Sequence, residues 1–253
     1  MVQNDKLLMG LSDLAAGFVL LTRLPVRAPD SAFARGASAA WAWPLVGAVL
    51  GAITGSIAWV LLAFGLPAPL TAGVCLAIAT LMTGAMHEDG LADSADGFWG
   101  GWEPARRLEI MKDSHIGSYG VIALILSLGL RWTALSAVFE AGLALPVLVA
   151  VGALSRAAMP ALMHALPAAR EGGLSRSVGR VSFDTAVLAI VLGVILALLM
   201  LGLTALALVL AAALTSWAVA ALARAKIGGQ TGDVLGATQQ MVEITCLLVL
   251  ASL

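Results

Sequence analysis

Charge is what this sequence has least of. Only 11% of its 253 residues are Asp, Glu, Lys or Arg, 14 basic against 15 acidic, while 60% are hydrophobic. A soluble domain carries roughly a quarter charged residues, and that share is what covers its surface in water. The deficit excludes an ordinary water-soluble globule and points to an all-α, polytopic integral membrane bundle whose solvent is the lipid bilayer. A net charge of −1 leaves no basic field for nucleic acid, so no nucleic-acid partner is expected. Cysteine is nearly absent: Cys75 and Cys246 sit in apolar runs without metal-ligand neighbours and read as small buried hydrophobes. The start, "MVQNDKLLMGLSDLAAG", carries Asp5, Lys6 and Asp13 and lacks a basic n-region followed by a clean cleavage site. It is expected to be retained. With no long repeat, linker or low-complexity tail, one membrane domain over 1–253 is the expectation.

What the chain has in quantity is apolar runs. A bilayer core about 30 Å thick needs about 20 such residues of helix. Seven transmembrane helices are expected, over 41–64, 69–86, 119–139, 144–163, 185–201, 203–223 and 234–253. A shorter apolar helix over 7–22, broken by Asp13, is expected to lie in the interface or re-enter. Arg131, next to Trp132, falls inside the third span, where a charge needs a partner or a polar cavity. Gly47, Gly51 and Gly55 recur every four residues and invite close approach of another helix. Trp41, Trp43 and Trp217 read as interfacial anchors, and so do Trp99 and Trp102 in a loop.

Alternating spans collect the basic residues on one side: Lys6, Arg23, Arg27, Arg35, Arg106, Arg107, Lys112, Arg170, Arg176, Arg180, Arg224 and Lys226. Arg156 falls near the end of the fourth span on that same side. The opposite loops, "GLPA", "EAGL" and the turn at Gly202, contain no Lys or Arg. Basic loops mark the cytoplasmic face, so the long polar segments are expected to face the cytoplasm.

Three polar segments lie on that side. In "MHEDGLADSADGFWGG" (86–101), Asp89, Asp93 and Asp96 fall on one stripe if the second span continues as a helix, with Glu88 flanking it. Stacked carboxylates repel unless a cation lies among them, and Mg²⁺ bound through carboxylates and substrate phosphates fits. Gly90 and Gly97 leave room for a ligand or another backbone. In "MKDSHIGSYG" (111–120), Lys112 can meet a phosphate, Asp113 can ligate or accept a proton, and Ser114 and the glycines can cradle an anion. His87 and His115 are possible proton-transfer groups. In "KIGGQTGDVLGATQQMVE" (226–243), a tight turn of Gly228, Gly229, Thr231 and Asp233 leads into the last span. Thr231 or Asp233 can cap that span, while Gln239, Gln240 and Glu243 continue into it. The basic loop "REGGLSRSVGR" (170–180) can grip a phosphate or anchor the positive side. Acids for metal, bases for phosphate and flexible backbone on one face point to phosphoryl or phosphodiester transfer.

"HEDGLADSADG", "KDSHIGSYG" and "GGQTGDVLGA", with "TRLPV" and "WPLVG" ahead of them, resemble in content and order the blocks of the cobalamin synthase family, the adenosylcobinamide-GDP ribazoletransferases. The resemblance covers nearly the whole chain. It implies a membrane enzyme that joins adenosylcobinamide-GDP to α-ribazole or its 5′-phosphate, releasing GMP, with Mg²⁺. It also implies that Glu88, Asp89, Asp93 and Asp96 hold the metal and that Lys112, Asp113 and Asp233 complete the site. Ser114, Gly228, Gly229, Thr231 and Gln239 are expected on the substrate side, and Asp93, Asp96 or His87 takes the hydroxyl proton. A CDP-alcohol phosphotransferase is the competing reading, but Asp93 stands where that motif carries Arg. A transporter would place its acids at mid-membrane rather than at one face.

Overall fold

The computed structural model describes residues 10–253, so Lys6 and the first residues of the expected 7–22 helix lie outside the described part. Among the described residues the chain is helical, with an isolated parallel bridge between Ala168 and Gln230. The helices are α1 (Leu11–Leu21), α2 (Asp30–Phe33), α3 (Trp43–Ala63), α4 (Ala68–Thr83), α5 (Met86–Gly100) and α6 (Pro104–Ile110), then α7 (Ser118–Glu140), α8 (Ala144–Ala165), α9 (Leu174–Val178), α10 (Phe183–Leu201), α11 (Ala205–Ile227) and α12 (Gly232–Ala251). Short 3₁₀ turns over Gly36–Ala42 and Gly202–Thr204 precede α3 and α11.

Five apolar helical stretches are long enough to cross a bilayer, and the bent pair α4–α5 adds a sixth. The longest, Phe183–Ile227, is itself a hairpin. The Phe183 ring meets the edge of His164 at 5.7 Å, and Arg224 donates to the Ala165 carbonyl at 3.1 Å. Both ends of the stretch therefore return to the C-terminal end of α8, and the reversal falls at Gly202, whose φ of 57° suits glycine. Counted limb by limb, the expected passes correspond to α3, α4, α7, α8, α10, α11 and α12.

α8 is the central helix, 78% buried along its most apolar window, against 22% for the Phe183–Ile227 hairpin. Glycine makes its closest contact possible. A Cβ on Gly47 would collide with the Gly152 carbonyl, and one on Gly51 with that of Leu148, so α3 and α8 pack backbone to backbone. A core of Ala134, Leu135, Val147, Val151, Leu154 and Leu208 fills the far half of the bundle.

The loops at the polar end are tied to helix termini. Arg23 N–H donates to Met82 O at 2.7 Å, Arg107 Nη1 to Lys226 O at 2.8 Å, and Gln230 N–H to Pro167 O at 2.8 Å. Carbonyls at the C-terminal ends of α4 and α11 are thus satisfied, the first by a backbone N–H and the second by the Arg107 side chain.

Three expectations are corrected. The second span does not run on past Met86: Gly84 (φ 65°) and Ala85 (φ 57°) both turn left-handed, and α5 departs at 88° from α4. Asp13 does not break the first helix but starts it, accepting from Gly10 N–H at 2.9 Å, Trp41 Nε1 at 2.7 Å and Arg35 Nε at 2.6 Å. Trp41 and Trp43 are therefore buried core rather than interfacial anchors, whereas Trp217 and Trp102 are exposed.

Candidate functional site

The bend at Gly84–Ala85 sends α5 against the N-terminal turns of α12. Gly90 makes the fit possible, since a Cβ there would lie 2.7 Å from the Asp233 carbonyl oxygen. Gly236 answers from α12, where a Cβ would sit 3.3 Å from His87 Cα and 3.4 Å from Gly90 Cα. Gly97 lies against Met111 and the Arg107 carbonyl of the α6 segment. The room left beside the acids is taken up by the backbone of α12 at Gly90 and by the Met111 side chain with the Arg107 carbonyl at Gly97.

Asp89 is exposed and Asp93 half-buried, and neither carboxylate makes a hydrogen bond or ion pair among the described residues. The charges acting on Asp93 are those of Asp89, Asp233, Asp96 and Arg170. Asp233 accepts from Arg170 Nη2 at 3.1 Å and from the Thr231 hydroxyl at 3.1 Å. Arg170 Nη1 is buried without a partner, a donor available to an anion. Asp89, Arg170 and Asp233 border one cavity of about 140 Å³. An open set of unpaired carboxylates beside a guanidinium is suited to bind a phosphate group together with a hydrated cation.

The other two acids of α5 are turned elsewhere. Asp96 accepts the backbone N–H groups of Gly117 (2.7 Å) and Gly120 (2.9 Å), which would otherwise be orphaned at the start of α7. Glu88 points inward, where its Oε1 accepts from Arg131 Nη2 at 3.2 Å and Gln240 Nε2 at 3.2 Å. Arg131 also donates to Glu243 Oε1 at 3.2 Å. Gln239 Nε2 donates to Glu243 Oε2 at 2.6 Å and to Ser155 Oγ at 3.2 Å. Arg156, buried beside them, donates to the Gly152 carbonyl at 3.4 Å. This network joins α5, α7, α8 and α12 in the interior of the bundle.

The remaining expected residues divide in the same way. Thr231 caps α12, its hydroxyl accepting from Val234 N–H at 3.3 Å. Gly228 (φ 75°) closes α11, and Gly229 lets the Pro167 carbonyl pass. Gln239 belongs to the interior network and not to the acid cluster. Lys112, Asp113 and Ser114 lie on the exposed segment between α6 and α7. There Asp113 Oδ1 accepts from His115 N–H at 3.1 Å and pairs with His115 Nδ1 at 2.8 Å. That hydrogen bond lowers Asp113's pKa and raises that of His115. His87 is buried in the wall of the cavity, and its Nε2 has no partner.

Among the described residues no three Asp, Glu, His or Cys side chains converge tightly enough to hold a metal ion on their own. The donor set still fits one kind of ion. Mg²⁺ keeps several waters and is held through one or two carboxylates plus substrate phosphates rather than by an all-protein cage. Asp89 and Asp93, unpaired and one turn apart, meet that description. Glu88 and Asp96, engaged with protein partners, do not join them in this arrangement.

An acid pair on α5 beside Asp233 of α12 and Arg170 of the preceding loop suits phosphate chemistry in general, and comparison of the whole chain narrows the choice. Residues 13–251 match the cobalamin-5-phosphate synthase family. The chain belongs to this family. It is 46% identical over 241 residues to the adenosylcobinamide-GDP ribazoletransferase of Mesorhizobium japonicum, covering 94% of this chain and 92% of that protein. The proteins of the same name from Bradyrhizobium diazoefficiens and Brucella anthropi are 43% and 42% identical, over 96% and 94% of this chain and 94% and 95% of their own lengths. No solved structure matches it.

Within this family member, the roles of Arg170, Arg131, Arg156 and Glu243 were only partly visible in the sequence. Arg170 reads equally as an anchor until its pairing with Asp233 is seen. Arg131 and Arg156 are charges inside spans, and such charges call for acids at the same depth. Glu88 and Glu243 are those acids.

Proposed function

We propose that this chain is a membrane-embedded transferase that joins adenosylcobinamide-GDP to α-ribazole, or to its 5′-phosphate, and releases GMP. The product is adenosylcobalamin or its 5′-phosphate. The observation that carries the reading is the cluster of Asp89, Asp93, Asp233 and Arg170 at the polar end of a bundle that belongs to this family along nearly its whole length. The basic loops at that end support a cytoplasmic orientation in the inner membrane.

The 3′-hydroxyl of the ribose attacks the phosphorus attached to the corrinoid's aminopropanol arm. A new P–O bond forms, the pyrophosphate P–O bond breaks, and GMP leaves with the bridging oxygen. Arg170 Nη1 offers its free N–H to a phosphate oxygen as a charge-assisted hydrogen bond. Asp233 holds that guanidinium in place at 3.1 Å. The hydroxyl proton passes to Asp93. Asp96 is committed to two backbone amides and His87 is walled into the cavity, which favours Asp93 among the three. Mg²⁺, held by Asp89 and Asp93, would neutralise charge on the phosphates when bound. Lys112, on the exposed segment nearby in sequence, is available to the leaving nucleotide.

The test is direct. Purified protein in lipid vesicles is incubated with adenosylcobinamide-GDP, α-ribazole and Mg²⁺, and GMP and the joined corrinoid are measured. Both should appear in equal amounts and stop when EDTA is added. A corrinoid-independent product formed from CDP-diacylglycerol would refute the reading.

A further inference from the structure

The cavity that Asp89, Arg170 and Asp233 border extends inward between α1, α3, α5, α8 and α12, and its inner wall changes character. Trp43, Met159, Met163 and Leu235 form that wall, all of them buried. Two residues that line the cavity carry a buried polar atom without a partner among the described residues, Arg170 (Nη1) on the acid side and His87 (Nε2) beside the apolar wall. A buried imidazole nitrogen left unpaired is costly, and a ligand atom that completes its hydrogen bond removes the cost.

We propose that this chamber is the binding site of the aromatic base of the nucleoside substrate, with the base's unsubstituted ring nitrogen hydrogen-bonded to His87. The inference rests on the transferase reading above and assigns one of its two substrates to one place. Size decides against the alternatives. The whole cavity, its polar mouth included, measures about 140 Å³. Apolar cavities of roughly 150 Å³ hold small aromatic molecules, whereas a drug-sized ligand needs roughly 300–1,000 Å³, so a flat base with its sugar outside is on the right scale. A corrin macrocycle cannot enter, and a guanine, edged with donors and acceptors, would leave most of them unpaired against methionine and leucine. A flat base with a hydrocarbon edge and one free ring nitrogen suits both the wall and His87. Methionine sulfur and the Trp43 ring give favourable contacts to such a face. The geometry also fits the chemistry: with the base inside, the attached ribose emerges at the mouth, beside Asp89 and Asp233, where its hydroxyl must react.

Two substitutions change the chamber in opposite directions. A Cβ on Gly232 meets nothing nearer than Ser175 N at 4.0 Å, so Gly232→Val narrows the chamber from its rim without a backbone clash. Met163→Ala enlarges it. In the vesicle assay, Gly232→Val should raise KM for α-ribazole about tenfold while KM for adenosylcobinamide-GDP stays within about twofold. Met163→Ala should shift kcat/KM towards nucleosides with a larger tricyclic base. His87→Phe should erase the wild-type preference for the benzimidazole nucleoside over its indole counterpart, which lacks the ring nitrogen. An unchanged KM for both substrates, an equal rise in both, or a rise for adenosylcobinamide-GDP alone would each overturn the assignment. If Met163→Ala fails to fold, the Gly232→Val and His87→Phe results decide. Wild-type protein that releases no GMP would instead sink the transferase reading itself, so the two failures are distinguishable.

Discussion

Replacing Arg131 with Met tests whether the interior ion network holds the bundle together. Arg131 is 2% exposed and pairs with Glu88 and Glu243 at 3.2 Å each, their side chains 11% and 20% exposed. Methionine keeps most of the hydrocarbon volume but leaves two carboxylates facing each other inside the bundle, with Arg156 alone to balance them. Breaking a buried pair by removing one partner costs about 3–5 kcal/mol, chiefly because the other charge is left uncompensated. For chains of 150–250 residues each kcal/mol lowers Tm by about 2–4 °C, so a fall of about 6–20 °C is expected. The assay is thermal unfolding of the detergent-purified protein, followed by intrinsic tryptophan fluorescence. The logic has an internal control. If the cost is the stranded charge, neutralising the acids in the triple variant Arg131→Met/Glu88→Gln/Glu243→Gln should recover at least half of the loss, although it removes more hydrogen bonds. A single variant that melts within about 2 °C of wild type would refute the buried-charge account. A triple variant that melts lower still would mean that hydrogen bonding, not charge balance, is what α5, α7, α8 and α12 depend on.

Asp89→Ala and Asp93→Ala should each slow GMP release by about 10²–10³-fold with Tm unchanged, because neither carboxylate is bonded to the protein. Asp96→Ala should lower Tm as well, by leaving the Gly117 and Gly120 amides unpaired at about 1–3 kcal/mol, which separates its role from theirs in the same melting assay. Gly47→Leu should collapse the yield of monodisperse protein on size-exclusion chromatography, since even a Cβ there collides with the Gly152 carbonyl of α8. His115 should titrate above its ordinary value in an NMR pH series and return towards it in Asp113→Asn, because the Asp113 hydrogen bond favours its protonated form. That ion pair is present below the raised His115 pKa and lost as pH rises through it.

The spans were legible because lipid leaves little choice: a helix that crosses it needs an apolar run of a set length, and α7, α8, α10, α11 and α12 begin and end within a few residues of those runs. The bend after α4 was not. Glycine at 84 is a weak sign of a turn, but the second left-handed residue is Ala85, the best helix former, held there by tertiary contacts such as that between Arg23 N–H and Met82 O. The bend leaves Glu88, Asp89, Asp93 and Asp96 together on α5 but turns that helix against α12, which the reading of Asp89, Asp93 and Asp96 as one stripe flanked by Glu88 did not foresee.

On that helix the acids separate by what they face, and the reasons can be traced to features written elsewhere in the chain. α7 opens with "GSYG" and has no side chain of its own that caps it, so an acceptor must come from outside, and Asp96 supplies it. Arg131 and Arg156 sit inside spans, where each needs a counter-charge; Glu243 supplies one, and Glu88, 43 residues from Arg131 in sequence, supplies the other. Charge balance in the interior thus withdraws Glu88 from the acid cluster, and helix capping withdraws Asp96. Asp89 and Asp93 remain because nothing in the protein satisfies them, and a carboxylate that the fold leaves unpaired beside an Arg with a free N–H is available to a ligand. Subtracting the acids that the scaffold engages leaves Asp89 and Asp93, near Asp233 and Arg170 from segments more than sixty residues away.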